Sequence, residues 1–408
     1  MPEQLNWLID SVLDPIKARI LKMRWIYRAA ILLALLGIFA LFEFREQIAA
    51  RRLSVNEFFR VSLASQRFVP FSDKDARQLK ASIARLISVL DARLAQPGAT
   101  IGQAWSTAQV VVAVQGAGRF DSAPVVNFIE SQKDPKCSCW EQFCHPDQPP
   151  HLGTTTQSCS ASYPPHVVAS AWILAAYARL GRPAPRPQIQ FFLDNQFPDG
   201  SWPIYVGAVS GEASTYATAL VVFALYEQLN AGLVPKQLES TVRASMDRGR
   251  AWLMSHRMER LARWTDYPVA AHEPIRTMDS LGLSGQVLHI LHRTGQSGLD
   301  DIDREWIRSL PRAIPGGADN DASNREIENK EGFSIYTDSS RYFALPWSII
   351  ATADAYPSGT IAERTRALDQ LERSLAVLEP AEQAALKWGE YVAAELLIAL
   401  RYISKDTA

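Results

Sequence analysis

A glutamine at the end of one helix and a tryptophan a few residues later recur along this chain. The clearest copy runs Phe192-Leu-Asp-Asn-Gln196-Phe-Pro-Asp-Gly-Ser-Trp202, followed by the apolar stretch 213–225. It reads as an amphipathic helix, a Gly-containing turn closed by Trp202, and a second helix that is apolar nearly all round, the mark of burial on every side. Upstream, Phe128-Ile-Glu-Ser-Gln132 repeats the helix end, and Trp140 takes the place of Trp202. Downstream, Trp252-Leu-Met-Ser-His256 with Trp264 is a third copy in which histidine replaces glutamine. Around Trp306 and Leu371 only the helix survives.

The second member of each hairpin repeats as well. Apolar segments begin near Thr107, Ser170, Thr218, Ser284, Ser348 and Ala393, and amphipathic ones occupy 75–95 and the surroundings of Phe128, Phe192, Trp252, Trp306 and Leu371. Six buried and six solvent-facing helices predict an all-α fold, an (α/α)6 toroid of helical hairpins. The period is irregular, about 50–65 residues, so repetition carries the assignment. Small residues on the inner members (Ala, Ser, Gly) let six helices pack round one axis. A length of 408 residues suffices for one large core plus an appendage. The net charge of −1 gives no electrostatic reason to expect nucleic acid.

The appendage is N-terminal. Residues 1–28 form a basic leader with Lys17, Arg19, Lys22, Arg24 and Arg28, and 29–42 are uninterruptedly apolar. At about 1.5 Å per residue those positions span roughly 21 Å, short of the roughly 30 Å hydrocarbon core. Extending the count from Trp25 to Phe44 reaches membrane length, with Arg28 and Glu43 able to snorkel and Trp25 and Tyr27 suited to the interface. The expectation is a single transmembrane helix at 29–44, a helical neck at 45–71 and the toroid at 72–404. A cleaved signal peptide and a membrane-surface helix are the competing readings. Basic residues are more frequent before the apolar run than after it, which leans toward a cytoplasmic N-terminus and an extracytoplasmic toroid. The bilayer is the partner this organisation implies; no protein partner is indicated. Ser72-Asp-Lys-Asp75 reads as a helix cap.

All four cysteines, Cys137, Cys139, Cys144 and Cys159, fall in one long loop with His145, His151 and His166 nearby. Outside the cytoplasm this reads as two disulfides. In a reducing compartment a zinc site is the alternative, although the spacing does not match paired Cys-x2-Cys knuckles. Unremarkable thiols are a third reading. A second insertion, 311–340, reads as a solvated loop; Asp319 and Asp321 lack the Gly and Glu of a calcium loop at the sixth and twelfth positions.

Gln196-Phe-Pro-Asp-Gly-Ser-Trp-Pro-Ile-Tyr205 followed by Ala213-Ser-Thr-Tyr-Ala-Thr-Ala219 resembles the QW repeat of the triterpene cyclase and protein prenyltransferase β-subunit superfamily. The resemblance covers about 82–400 and implies an α/α toroid and an isoprenoid or other lipid ligand. Gln132, Trp140, Gln196 and Trp202 are read as structural staples: the amide bonds helix-end backbone groups while the ring packs upon it. The family's catalytic motifs do not carry over. The cyclases' Asp-x-Asp-Asp acid is absent, Asp300-Asp-Ile-Asp303 having the wrong order. The prenyltransferases' zinc ligands are absent from the inner segments.

Candidate site residues therefore come from the starts of the inner helices. Asp279, Asp338 and Glu212 are the candidate catalytic acids and bases. Trp105, His166, Tyr216, Arg341, Tyr342 and Glu390 are candidate ligand-binding residues. Helix capping is the competing role for the acids, and a hydrogen-bonded core histidine is the expectation for His289 and His292. Three functions stay open: a membrane-anchored toroid that binds or transforms an isoprenoid or other lipid, a non-catalytic recognition or assembly module, and a carbohydrate-active α6/α6 enzyme.

Overall fold

The computed structural model describes residues 69, 71–97, 103–134, 138–140, 166–206, 213–258, 261–266, 280–311, 320–328 and 335–405, with 320–328 and 335–342 described by their backbone. The predicted membrane helix and neck lie outside them. No helix among the described residues is long and apolar enough to cross a membrane. The chain divides into unit 1, Met1–Ser62, and unit 2, Leu63–Ala408, and every described residue belongs to unit 2.

The fold is all-α, with thirteen α-helices among the described residues. Six are inner helices: α2 (Ala104–Val114), α4 (Val167–Arg179), α6 (Thr215–Asn230), α8 (Leu281–Arg293), α10 (Ala344–Ala355) and α13 (Glu390–Lys405). The outer ones are α1 (Asp73–Leu94), α3 (Ser122–Ser131), α5 (Arg186–Asp194), α7 (Lys236–Ser255), α9 (Asp300–Ser309) and α11 (Ile361–Ala376). An additional helix, α12 (Leu378–Trp388), precedes α13 and was not expected from the repeat. Burial separates the two kinds: every residue of α4 except Arg179 is buried, whereas most of α7 faces water.

Each inner helix packs on the next, α2 on α4, α4 on α6, α6 on α8, α8 on α10 and α10 on α13, and α13 returns to α2. The six run parallel, since starts meet starts and ends meet ends. Trp105 near the start of α2 stacks on Tyr391 near the start of α13, with ring centroids 5.3 Å apart. At the other end Arg401 of α13 donates to the Ala113 and Gln115 carbonyls that finish α2. In the outer layer α1 packs on α11 and α12. Gln78 donates to the Leu375 carbonyl at 2.8 Å, and Arg85 makes a two-pronged pair with Glu382 at 2.9 Å per bond.

The repeated tryptophans explain how each hairpin is joined. Trp140, Trp202 and Trp264 are all buried, and each donates its indole N–H to a carbonyl in the last turn of the preceding outer helix: Ile129, Phe192 and Leu253, all at 2.8 Å. Their backbone N–H groups donate to hydroxyls on the next inner helix: Ser170 at 3.1 Å, Thr218 at 3.0 Å and Ser284 at 2.9 Å. Each Trp thus satisfies one orphan helix-end carbonyl and bridges two helices. Four residues before each hydroxyl lies the helix N-cap: His166, Ser214 and Ser280 accept from the N–H groups of Ala169, Ala217 and Leu283. The glutamines tie helices together too. Gln132 accepts from the Ala104 N–H at the start of α2 at 2.7 Å. Gln196 donates to the Gly200 and Ser245 carbonyls at 2.9 Å, joining the end of α5 to α7. Gly200 adopts φ +100° there, and a Cβ would sit 2.6 Å from the Arg248 carbonyl oxygen, so the turn requires glycine.

Small residues do set the inner spacing. A Cβ on Gly285 of α8 would lie 2.6 Å from the Trp347 carbonyl of α10, so these helices touch backbone to backbone. The second insertion departs from expectation: within the range read as a solvated loop, β5 (Asn320–Glu328) and β6 (Ile335–Phe343) pair as an antiparallel hairpin that leads directly into α10. Polar-rich strands such as 320–328 lack the apolar alternation by which strands are read from sequence. Short two-stranded bridges also form where the staple tryptophans sit: β1 (Lys133–Asp134) with β2 (Cys139–Trp140), and β3 (Trp202–Pro203) with β4 (Ala213–Ser214).

Candidate functional site

Of the predicted acids, Glu212 and Asp279 lie outside the described residues. Asp338 lies on β6 opposite Arg325, not at a helix start, so neither its capping role nor its place at the start of α10 stands. Arg341 and Tyr342 belong to the same strand, opposite Ala322 and Asp321. Glu390 opens α13 and pairs with Arg93 of α1, in the outer layer. His166 is an N-cap with its ring edge-on to Tyr205 at 4.7 Å, in the repeat position that Ser214 and Ser280 occupy elsewhere. Burial holds its pKa down at about 3, which keeps the ring neutral and able to accept through Nδ1. Cys139 is disulfide-bonded, and Cys137, Cys144 and Cys159 lie outside the described residues.

Trp105 and Tyr216 fare differently, because both face the middle of the six-helix cycle. The exceptions to burial on the inner helices mark this side: Trp105 alone on α2, Arg179 alone on α4 and Asp354 alone on α10. Tyr216 of α6 interacts electrostatically with Glu395 and Tyr391 of α13, although these helices stand three steps apart in the cycle by either route. The interaction therefore crosses the centre. Trp172 of α4, whose buried indole N–H has no well-formed acceptor, approaches the Tyr216 hydroxyl and packs edge-on against Phe223 at 6.2 Å.

The central acid is Glu395, which the sequence reading did not single out. It is 5% exposed on α13 and accepts a 2.9 Å hydrogen bond from the Trp347 indole of α10. Burial raises its pKa to about 8, and the single indole donor only partly offsets that desolvation. At neutral pH it is a carboxylic acid with a proton to donate. Burial likewise raises the Tyr216 pKa, helped by the charge of Glu395, so that hydroxyl also stays protonated.

A second polar group lies further along the same interior. Asp354 of α10 accepts from Tyr402 of α13 at 2.5 Å and bonds His289 Nδ1 of α8 at 2.8 Å. The His289 ring lies between Tyr402 at 4.8 Å and Trp347 at 6.2 Å. His292 bonds the buried Asp303 of α9 at 2.7 Å, which with nearby acids raises its pKa despite burial. At the far end Glu227 of α6 takes Arg179 at 2.8 Å and Arg293 at 2.7 Å, joining the ends of α4 and α8.

The centre thus presents aromatic faces from five helices, a protonated carboxyl and a phenol. This lining suits an apolar body and can donate hydrogen bonds to one oxygen upon it. It is not suited to protonating an alkene, because that needs a far stronger acid than a carboxyl with a raised pKa. No protein-family model matches the chain, and no curated protein sequence matches it.

Proposed function

We propose that the chain is a membrane-anchored (α/α)6 toroid whose centre binds an isoprenoid or other lipid carrying one acceptor oxygen. The observation that carries this reading is Glu395, a buried carboxyl held protonated among Trp105, Trp172, Trp347, Tyr216 and Tyr391. Aromatic faces supply the contact area. A neutral acid discriminates an oxygenated lipid from a hydrocarbon, since a buried donor left unmatched costs about 1–3 kcal/mol. The cycle of inner helices supports the toroid, and the apolar run 29–44 supports the anchor. The disulfide at Cys139 agrees with a toroid outside the reducing cytoplasm.

The test is native mass spectrometry with lipid extraction on the full chain purified in detergent. The wild-type protein should retain an oxygenated lipid, and Glu395→Leu should lose it while Glu395→Gln, which keeps a donor, retains part. A wild-type protein that carries no lipid, and takes up none when offered long-chain prenols and fatty alcohols, sinks the reading. The weight then moves to a recognition module.

A further inference from the structure

A separate cavity of about 470 Å³ lies among α6, α7 and the end of α8. Its walls are the last turns of α6 (Tyr226, Leu229, Asn230), one face of α7 (Arg243, Met246, Asp247, Arg250) and Thr294 at the end of α8. It shares no residue with the central cluster. We infer that this cavity binds a small organic oxyanion, a phosphate- or carboxylate-bearing molecule with an apolar body.

The charges within it are unequally committed. Arg250 is fixed from two sides, donating to the Thr294 carbonyl and to Asp247, so Asp247 is already neutralised. The Arg250 Nε is buried without a partner among the described residues. Arg243, two turns earlier on α7, is exposed and has no carboxylate partner among the described residues. Arg293 adds a third guanidinium at the edge, 6.0 Å from the Tyr226 ring centre, but Glu227 occupies it. One cation therefore lacks a counter-charge among the described residues, and another holds its guanidinium in a fixed orientation. Guanidinium groups favour planar or tetrahedral oxyanions through charge-assisted, two-pronged bonds.

The remaining wall is not ionic. Tyr226, Leu229 and Met246 offer a ring, a branched alkyl group and a thioether, which bind carbon rather than ions. The volume is well above that of one phosphate and falls in the range of small-molecule sites. The expected ligand therefore has an anionic end at Arg243 and Arg250 and a ring or short chain against Tyr226 and Met246.

The experiment is isothermal titration of the full chain in detergent with phenyl phosphate, inorganic phosphate and phenethylamine, on wild type, Arg243→Gln and Arg250→Lys. Phenyl phosphate should bind, inorganic phosphate more weakly, and phenethylamine not at all. Arg243→Gln should weaken phenyl phosphate about tenfold. This position is exposed and unpaired, so the variant keeps its fold. Arg250→Lys, which keeps the charge but loses the fork, should weaken binding as well. The inference is overturned if phenyl phosphate does not bind wild type, if Arg243→Gln binds it equally well, or if phenethylamine binds as tightly. Equal affinity for inorganic phosphate overturns the organic body. The cavity shares no side chain with Glu395, so these outcomes are independent of lipid retention in the centre.

Discussion

Trp347 donates its indole N–H to Oε2 of Glu395 at 2.9 Å across the seam between α10 and α13, and Glu395 has a pKa near 8 because that single donor meets a buried carboxyl. Between the unfolded pKa near 4.5 and the folded value near 8, the folded chain holds a proton the unfolded chain has lost. Stability from this group is fully present below the lower value and falls as pH rises toward the upper one, by at most about 5 kcal/mol. Denaturant unfolding of wild type and Glu395→Gln across pH 4–9 isolates the effect, since other titrations cancel in the difference. The difference should grow in favour of Gln as pH rises; a flat difference contradicts the assignment.

His166 contributes with the opposite sign. Its folded pKa lies near 3, so the stability of its neutral N-cap is present above its unfolded value near 6.5 and is lost as pH falls through the window between them. His166→Asn, a cap that does not titrate in this range, should flatten the acid limb of the stability profile. An unchanged acid limb would show that His166 is not held neutral.

Two hydroxyls at equivalent repeat positions have different consequences. Ser284 accepts from the buried Trp264 N–H, whereas Ser348 is buried with no hydrogen-bond partner among the described residues, because the fourth hairpin replaces the staple with the β5–β6 pair. Ser284→Ala should destabilise by about 1–3 kcal/mol, since it orphans a buried N–H. Ser348→Ala should be neutral or slightly stabilising. Equal losses by denaturant titration contradict the staple account.

Gly285→Ala tests the close approach of α8 and α10. The new methyl meets the Trp347 carbonyl 2.6 Å away, where only backbone displacement relieves the clash. A loss of about 2 kcal/mol or more is expected, together with a changed tryptophan fluorescence as Trp347 moves. A stability gain, as at an ordinary helical glycine, contradicts the packing.

The two ring closures should differ in strength. Arg85 is 51% exposed, so its pair with Glu382 is screened and Arg85→Ala should cost less than about 1 kcal/mol. Arg401 serves the Ala113 and Gln115 carbonyls at a half-buried helix end, and Arg401→Met should cost about 1–3 kcal/mol. The reverse order, measured by urea midpoints, argues that the seam is held elsewhere.

The helical hairpins were legible because their signals are local: apolar periodicity, a Gly turn and a Trp within a dozen residues of a helix end. Ser72 caps α1 as read, accepting from the Asp75 N–H. Gln132 and Gln196 bond backbone groups, as the motif implies. The β5–β6 hairpin was not legible, since 320–328 carries neither alternation nor an apolar face. Among the candidate site residues, Trp105 and Tyr216 were read from their places near inner-helix starts, on α2 and α6, two steps apart in the cycle. Glu395 and Asp354 were missed although a signal existed: Asp354 is the one acid of α10, and Glu395 is the one acid of α13 past its opening residue, each amid apolar neighbours where a carboxyl needs a partner. Which partner, and which way round the axis, depends on packing between helices distant in sequence.

The most direct test of the central claim is infrared spectroscopy of the protonated-carboxyl band, comparing wild type with Glu395→Gln at neutral pH, with and without a long-chain prenol. The account predicts a band that is absent from Glu395→Gln, disappears as pH rises through about 8, and shifts when the prenol accepts a hydrogen bond. A wild-type spectrum with no such band at neutral pH, or one indifferent to the prenol, contradicts it.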